Sequence, residues 1–206
     1  MDWNKLQNGS DIRGVALEGI EGESVNLTNE VTTALAQAFV AWLGEKNGKT
    51  AQTIAVGSDS RISSPALCKA FADGAAAAGA TVLNFGMAST PAMFMATVDE
   101  QLRADGAVMV TASHLPWNRN GLKFFTAKGG LEKADIARIL ELAPQFMGAE
   151  KKGNGEVKVV DFMATYCDIL ANYIRRGVNN GDQPLQGMHI IVDAGDRKST
   201  RLNSSH

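Results

Sequence analysis

The chain has 206 residues, of which 45% are hydrophobic and 20% are charged, and its formal net charge is −2. This composition is typical of a soluble globular protein with one full domain and part of another. The charge balance argues against general nucleic-acid binding, which needs a basic face. No apolar run is long enough to span a bilayer, and the N-terminus has the features of neither a signal nor a transit peptide. We therefore expect a cytoplasmic protein that binds neither nucleic acid nor membrane.

Helical and strand patterns alternate through the first 150 residues. Thr28 can cap a helix whose apolar residues recur every three or four positions. Ser64 can cap a second helix with Pro65 in its first turn, and Pro91 suits the first turn of a third. Short apolar runs between the helices predict strands. The predicted strands are Thr53–Val56, Ala80–Phe85, Gly106–Val110 and Leu122–Phe125, and a further helix is predicted over Lys133–Leu142.

This order of elements predicts an α/β fold, in which a three-layer α/β/α domain contains a mixed, mostly parallel sheet. Crossovers through helices make the early strands parallel. The short connection between Val110 and Leu122 instead predicts an antiparallel neighbour, because two strands joined by a turn run in opposite directions.

The charged, glycine-rich segment 148–156 predicts a linker. We therefore assign residues 1–150 to a first domain and 151–195 to the start of a second α/β domain, with a helix over Val160–Val178 and a strand over Met188–Val192. The final segment, 196–206, is polar and lacks periodicity, so we interpret it as a non-native tail. A disordered native tail is the alternative.

The segment from Thr111 to Phe125 contains the strongest candidates for chemistry. Ser113 and His114 directly follow the predicted strand Gly106–Val110, and open α/β sheets bind ligands beyond the carboxyl ends of their strands. Pro116 and the pair Asn120-Gly121 predict a turn. Lys123 then lies on the next predicted strand, which presents it back toward the loop.

This segment resembles the phosphoserine loop of the α-D-phosphohexomutases, the phosphoglucomutase and phosphomannomutase family. That loop reads T-A-S-H-N-P, followed by N-G and by a lysine two residues after the glycine. Leu115 stands where the family usually has asparagine, which puts a local hydrogen bond or a substrate contact in doubt. The residues that match in register are Thr111, Ala112, Ser113, His114, Pro116, Asn120, Gly121 and Lys123. Two shorter segments also match the family: Asp11–Gly14 its D-I-R-G motif, and Gly57–Ser63 its G-x-D-x-R-x-S motif.

The resemblance implies a phosphohexomutase that interconverts hexose 1-phosphate and hexose 6-phosphate through a phosphoserine and a bisphosphorylated sugar. Ser113 would be the nucleophile and would ligate Mg²⁺ through its phosphate, while carboxylates outside this chain would complete the metal site. Lys123 would act as a proton shuttle or as a cation, and His114 would assist at the same loop. The implied substrate- or phosphate-binding residues are Arg13, Asn120 and Arg61. The sugar and the oligomeric state stay open, and we expect this chain to be an inactive fragment.

Structural interpretations compete with these roles. Lys123 could be a solvated strand residue, and Arg13 could form an ion pair with a carboxylate near Asp11. For Arg61 we favour the structural interpretation, in which it steadies the serine loop. A catalytically silent α/β binding or scaffolding module that retains the loop is the alternative function, and Leu115 favours it. A nucleotide-binding domain ranks third, because the chain has neither G-x-G-x-x-G nor G-K-[ST].

Overall fold

The computed structural model describes residues 1–149 and 153–191. The chain divides into two compact units, Met1–Met163 and Ala164–His206. In the first unit the strands are β1 (Gln7–Asn8), β2 (Asp11–Val15), β3 (Thr53–Ser58), β4 (Thr81–Met87), β5 (Gly106–Val110), β6 (Arg119–Thr126), β7 (Gly129–Gly130) and β8 (Glu156–Val159). The helices are α1 (Asn29–Asn47), α2 (Ser64–Ala77), α3 (Thr90–Val98) and α4 (Lys133–Leu142), with single 3-10 turns at Trp3–Leu6 and Ala143–Phe146. Helix α5 (Phe162–Val178) begins in the first unit and continues into the second.

The strands form one mixed sheet in the order β1-β2-β6-β5-β3-β4-β8, and β7 pairs with β6. Strands β5, β3, β4 and β8 run parallel to one another. Strand β6 is antiparallel to both β5 and β2. The predicted mixed α/β fold is therefore confirmed, and its antiparallel part extends one hairpin further than the sequence indicated because β1 and β2 were not predicted.

Side chains alternate between the two faces of the sheet, as strand geometry requires. Ile54, Val56, Val108 and Phe124 point to the face covered by α1, α2 and α4, where Phe39 of α1 packs 4.8 Å from Phe124, centroid to centroid. The opposite face carries the alternate residues of the same strands. There α3 packs, with its Phe94 ring 6.4 Å from the ring of Phe125.

Most helix ends lie at or next to residues that commonly begin or end helices. Thr28 caps α1 through its side chain, Gly48 ends that helix in the left-handed region, and α4 covers the predicted residues Lys133–Leu142. Helix α2 is preceded by Ser63, one residue earlier than the predicted cap Ser64. The cap predicted at Thr28 is confirmed because capping depends on a few neighbouring residues and not on the rest of the fold. The cap predicted at Ser64 is wrong, since Ser64 is the first residue of the helix.

Part of the predicted linker, residues 148–156, is bonded to the end of α2. Gly153 and Gly155 donate backbone hydrogen bonds to Ala77 and Ala76 at the end of α2, and a Cβ on either glycine would collide with the backbone there. The glycines therefore allow close packing of the chain that leads into β8. Strand β8 pairs with β4, so the sheet of the first unit continues past the predicted limit at residue 150. Lys151, Lys152 and the predicted tail 196–206 lie outside the described residues.

The second unit differs from its prediction in one element. Helix α5 begins at Phe162, close to the predicted start, and ends at Val178 as expected. The predicted strand Met188–Val192 is wrong for the residues that are described, since Met188–Ile191 have no strand structure and are exposed. An isolated strand leaves its backbone N–H and C=O groups unpaired, and no other strand is found in the described part of this unit. Among the described residues, no helix is both long and apolar enough to cross a membrane.

Candidate functional site

The serine loop, residues 111–118, connects the carboxyl end of β5 to the start of β6. Backbone hydrogen bonds from Leu115 N–H to Ala112 O (3.1 Å) and from Arg119 N–H to Pro116 O (3.0 Å) shape two turns. Ser113 has a φ of +56°, which is uncommon for a residue with a side chain and is one of the strained conformations that cluster at functional sites. Ser113 and His114 are both exposed, and Ser113 Oγ lies 3.4 Å from His114 Nδ1. The loop therefore presents the serine hydroxyl to solvent beside an imidazole.

A series of hydrogen bonds connects the backbone of Ser113 to Asp59 and to the start of α2. The Ser113 N–H donates to Thr111 Oγ1 (3.0 Å), and the Thr111 hydroxyl donates to Asp59 Oδ2 (2.7 Å). The Ser64 hydroxyl donates to the other oxygen of Asp59, also at 2.7 Å. The sequence analysis did not single out Asp59, although the matched G-x-D-x-R-x-S motif contains it. This carboxylate ties the start of α2 to the loop that carries the serine.

Arg61 holds the same loop through its backbone carbonyl groups. Its guanidinium donates to the carbonyl oxygens of Ser113 (2.8 Å), Leu115 (2.8 Å), Pro116 (2.7 Å) and Arg119 (3.0 Å). Its Nε lies 3.3 Å from Asp59 Oδ2. These contacts agree with the structural interpretation of Arg61 and leave it no terminal nitrogen directed at a ligand.

Leu115 takes part in this arrangement through its backbone. Its carbonyl accepts from Arg61 and its N–H donates to Ala112, and both bonds are independent of the side chain. The loop therefore keeps this geometry with leucine in place of the asparagine usual in the family.

We expect Arg61→Gln to loosen the serine loop and to destabilise the protein by roughly 2 kcal/mol or more, because hydrogen bonds from a charged donor are worth about 1.5–3 kcal/mol each. Urea unfolding gives the stability, and hydrogen exchange of the amides of residues 113–119 gives the loop's local order. Arg138→Gln is the matched control, because Arg138 pairs with Glu45 and Glu141 on an exposed surface, where ion pairs contribute about 0–1 kcal/mol. Equal effects of the two substitutions would contradict the role of Arg61.

Three charged side chains lie together on the sheet face opposite α1, α2 and α4: Asp11, Arg13 and Lys123, here called the Asp11 cluster. The register of β2 and β6 pairs Ile12 with Leu122, which places Asp11 beside Lys123. Asp11 Oδ1 lies 2.8 Å from Lys123 Nζ, and its Oδ2 lies 2.8 Å from Arg13 Nη2. Arg13 also donates through Nη1 to the carbonyl oxygen of Thr111. The structural alternative for Arg13, an ion pair at Asp11, is thus present, and Lys123 shares the same carboxylate.

Asn120 and Gly121 lie inside β6, so the turn predicted at this pair is wrong. Gly121 faces Arg13 across the strand pair, and a Cβ on it would lie 2.6 Å from Arg13 Cδ and closer still to the carbonyl oxygen of Ile12. The glycine therefore makes room for the arginine to cross toward Thr111. The actual turn lies earlier, over residues 113–118.

Asn120 is fully buried, which argues against the predicted contact with substrate. Its side-chain amide donates to the hydroxyls of Ser63 (2.8 Å) and Ser64 (3.0 Å). Its oxygen accepts from the N–H of Gly121 at 2.8 Å. Asn120 therefore links the start of α2 to β6 beneath the serine loop.

The loop between β2 and α1 is hydrogen-bonded to the end of the serine loop and to the start of β6. Glu23 accepts hydrogen bonds from Arg119 (2.5 and 3.1 Å) and from the amide of Asn118 (2.7 Å). Hydrogen bonds from Arg119 and then from Asn118 lower the pKa of Glu23 below its ordinary value. The Trp117 ring packs over Gly19, where a Cβ would come within 2.8 Å of it.

The described residues do not by themselves fit a magnesium ion. Mg²⁺ prefers six oxygen ligands in octahedral geometry, with carboxylates among them. No group of three or more His, Cys, Asp or Glu side chains that could hold a metal occurs within residues 1–149 and 153–191. A phosphate on Ser113 would add oxygen ligands, but it would not complete the shell.

The geometry agrees with comparisons to known proteins. A family model described as phosphoglucomutase/phosphomannomutase, alpha/beta/alpha domain I, matches residues 4–145. A phosphoglucosamine mutase of Symbiobacterium thermophilum is 30% identical over 200 residues, covering 93% of this chain and 40% of the relative. A phosphomannomutase of Vibrio cholerae serotype O1 is 31% identical over 174 residues, covering 82% of this chain and 35% of the relative.

A solved structure supports the same assignment. The crystal structure of a phosphoglucomutase/phosphomannomutase family protein from Burkholderia thailandensis aligns with a TM-score of 0.64 at 25% identity, over 80% of this chain and 34% of that one. The chain thus spans about two fifths of the length of the curated relatives it matches. The family model covers residues 4–145, including the serine loop, the Asp11 cluster and the Asp59 and Arg61 contacts. This chain belongs to the phosphoglucomutase/phosphomannomutase family of α-D-phosphohexomutases.

Proposed function

We propose that the protein carrying this chain is a phosphohexomutase, an intramolecular phosphotransferase that interconverts hexose 1-phosphate and hexose 6-phosphate. The observation that carries the proposal is the presentation of Ser113, which is exposed at the carboxyl end of β5 with a φ of +56°. Asp59 and Arg61 fix the loop around it. A nucleophile of this kind needs to be accessible and held in position.

In the proposed reaction Ser113 carries the phosphoryl group between two hydroxyls of one sugar. The O–P bond to Ser113 breaks as the sugar hydroxyl oxygen bonds to phosphorus, and the proton of that hydroxyl passes through a base to the departing Ser113 oxygen. The resulting sugar bisphosphate then reverses its orientation within the site. Its other phosphate then returns to Ser113, which restores the phosphoserine and releases the isomeric sugar monophosphate.

The remaining side chains supply charge and hydrogen bonds. A phosphoserine carries about −1.5 to −2 charges at neutral pH, and Arg13 and Lys123 are cations on the nearby strands β2 and β6. Of the two roles that the sequence left open for Lys123, its 2.8 Å contact with Asp11 favours the role of a cation. The 3.4 Å distance between His114 Nδ1 and Ser113 Oγ supports a role for His114 as a hydrogen-bond donor to a phosphate oxygen.

The proposal is tested by locating the phosphate that is covalently bound to the protein. The full-length protein is treated with a hexose bisphosphate, and its intact mass and phosphopeptides are measured. We expect one phosphate, on Ser113, which exchanges with the phosphate of an isotopically labelled hexose monophosphate during turnover. Phosphate at other positions only, or none, would support the alternative of a silent binding or scaffolding module, which the substitution at Leu115 favours.

We propose Mg²⁺ as the cofactor, bound through the Ser113 phosphate and completed by carboxylates elsewhere in the full-length enzyme. We accordingly expect the 206-residue chain alone to bind Mg²⁺ only in the millimolar range or more weakly, because it offers a hard cation too few oxygen ligands. Isothermal titration calorimetry of the unphosphorylated chain measures this. Micromolar binding would show that this chain holds more of the metal site than its described residues indicate.

A further inference from the structure

One carboxylate, that of Asp11, serves both cations of the Asp11 cluster. Each oxygen of the carboxylate makes one 2.8 Å ion pair, to Arg13 or to Lys123. The side chains are largely shielded, with exposed fractions of 13% for Asp11, 11% for Arg13 and 32% for Lys123. Partly buried ion pairs are screened less by solvent and salt than those on the surface. Asp11 therefore controls both where the two cations point and how much of their charge is left for an anion.

The charges of the cluster sum to +1, from two cations and one carboxylate. Without Asp11 the sum would be +2, and an anion beside the serine loop would be attracted more strongly. A phosphoryl carrier must bind phosphate groups and also release them, so tighter binding of the ground state does not by itself speed the reaction. A carboxylate placed among phosphate-binding cations is therefore chemically useful although it repels the ligand.

We propose that Asp11 is a positioning residue that orients Arg13 and Lys123 and limits the charge they offer to a phosphate group. The inference rests on the proposed function for the identity of that anion. Arg13 reaches the serine loop at the Thr111 carbonyl, and Lys123 lies on the strand that leaves the loop. Asp11 acts on the phosphate through these two residues.

The test is a titration of inorganic phosphate into the 206-residue chain, followed by amide chemical shifts of residues 111–123. We expect Asp11→Asn to bind phosphate at least about fivefold more tightly than the wild type, which is the effect of one unit charge at about 4 Å in water. Asp73→Asn is the matched control, since it removes one carboxylate from an exposed pair with Lys69 on α2. Its dissociation constant should stay at the wild-type value.

A double substitution separates the effect of charge on phosphate binding from any effect on folding. Asp11→Asn with Lys123→Gln returns the sum to +1, whereas Lys123→Gln alone gives zero. The double variant should therefore bind phosphate at least about fivefold more tightly than the single Lys123 variant. This comparison decides the question if Asp11→Asn alone does not fold, as judged by circular dichroism. Equal or weaker binding on removal of Asp11 in a folded background overturns the proposal, as does an absence of phosphate-dependent shifts in every variant.

Turnover in the full-length enzyme gives a second readout. Asp11→Asn should lower both kcat and the KM for hexose phosphate, because phosphate groups are held more tightly while Lys123 and Arg13 are less well oriented. Asp11→Glu, which keeps the charge, should keep the wild-type KM. A KM for Asp11→Asn that rises or stays constant contradicts the proposal. If the wild-type enzyme shows no turnover, the proposed function fails, and the phosphate titration still decides the role of Asp11.

Discussion

Replacing Ser113 with alanine should abolish mutase turnover in the full-length enzyme and leave its fold intact. The hydroxyl is the proposed attachment point of the phosphoryl group, so its removal takes away the covalent route. Both Ser113 and His114 are exposed, and Ser113 Oγ lies 3.4 Å from His114 Nδ1. The loop is held by the backbone of Ser113, through its N–H and its carbonyl. Alanine retains both groups, so the stability change should stay within about 1 kcal/mol.

A coupled assay with hexose 1-phosphate measures this loss, and urea unfolding measures the stability. Ser60→Ala is the matched control, because Ser60 is an exposed serine in the turn between β3 and α2 and has no proposed role. We expect near-normal turnover in that variant. Wild-type activity in Ser113→Ala would rule out the phosphoserine mechanism, whatever the similarity of the loop to its family.

Gly121→Ala should destabilise the chain by about 3 kcal/mol or more, or prevent folding. The new Cβ would lie 2.6 Å from Arg13 Cδ and closer still to the Ile12 carbonyl oxygen. The side chain of Arg13 can shift, but the carbonyl belongs to the backbone of the neighbouring strand β2. Relief of the collision therefore requires β2 and β6 to separate, and overpacking that moves backbone is costly.

Gly130→Ala is the control for this prediction. Gly130 lies in β7, the strand paired with β6, and a Cβ on it would approach no atom more closely than 3.8 Å. We expect its unfolding free energy to change by no more than about 1 kcal/mol. Urea denaturation of both variants, followed by circular dichroism, provides the comparison. A Gly121→Ala variant as stable as Gly130→Ala would show that β6 does not pack against β2 as described.

The elements whose signals are local could be predicted from the order of the amino acids. The cap at Thr28 and the apolar spacing of Lys133–Leu142 both predicted observed helices. The strand Gly106–Val110 was predicted with its observed limits, because a short continuous apolar run is typical of a strand buried on both faces. The family resemblance of the serine loop was equally local, since its matched residues lie within 13 positions of one another (Thr111–Lys123).

The contacts of the candidate residues depend on pairs that are far apart in the sequence. Lys123 and Asp11 are 112 positions apart in sequence, and Arg13 and the Thr111 carbonyl are 98 apart. These pairs meet because β2 adds to the sheet beside β6 in one particular register, which no local pattern specifies. The same pairing places Asn120-Gly121 within a strand, where the dipeptide alone predicts a turn. Strand order and register are set by the burial of whole faces of the sheet, so the pairing of Lys123 with Asp11 and of Arg13 with the Thr111 carbonyl could be identified only in the folded chain.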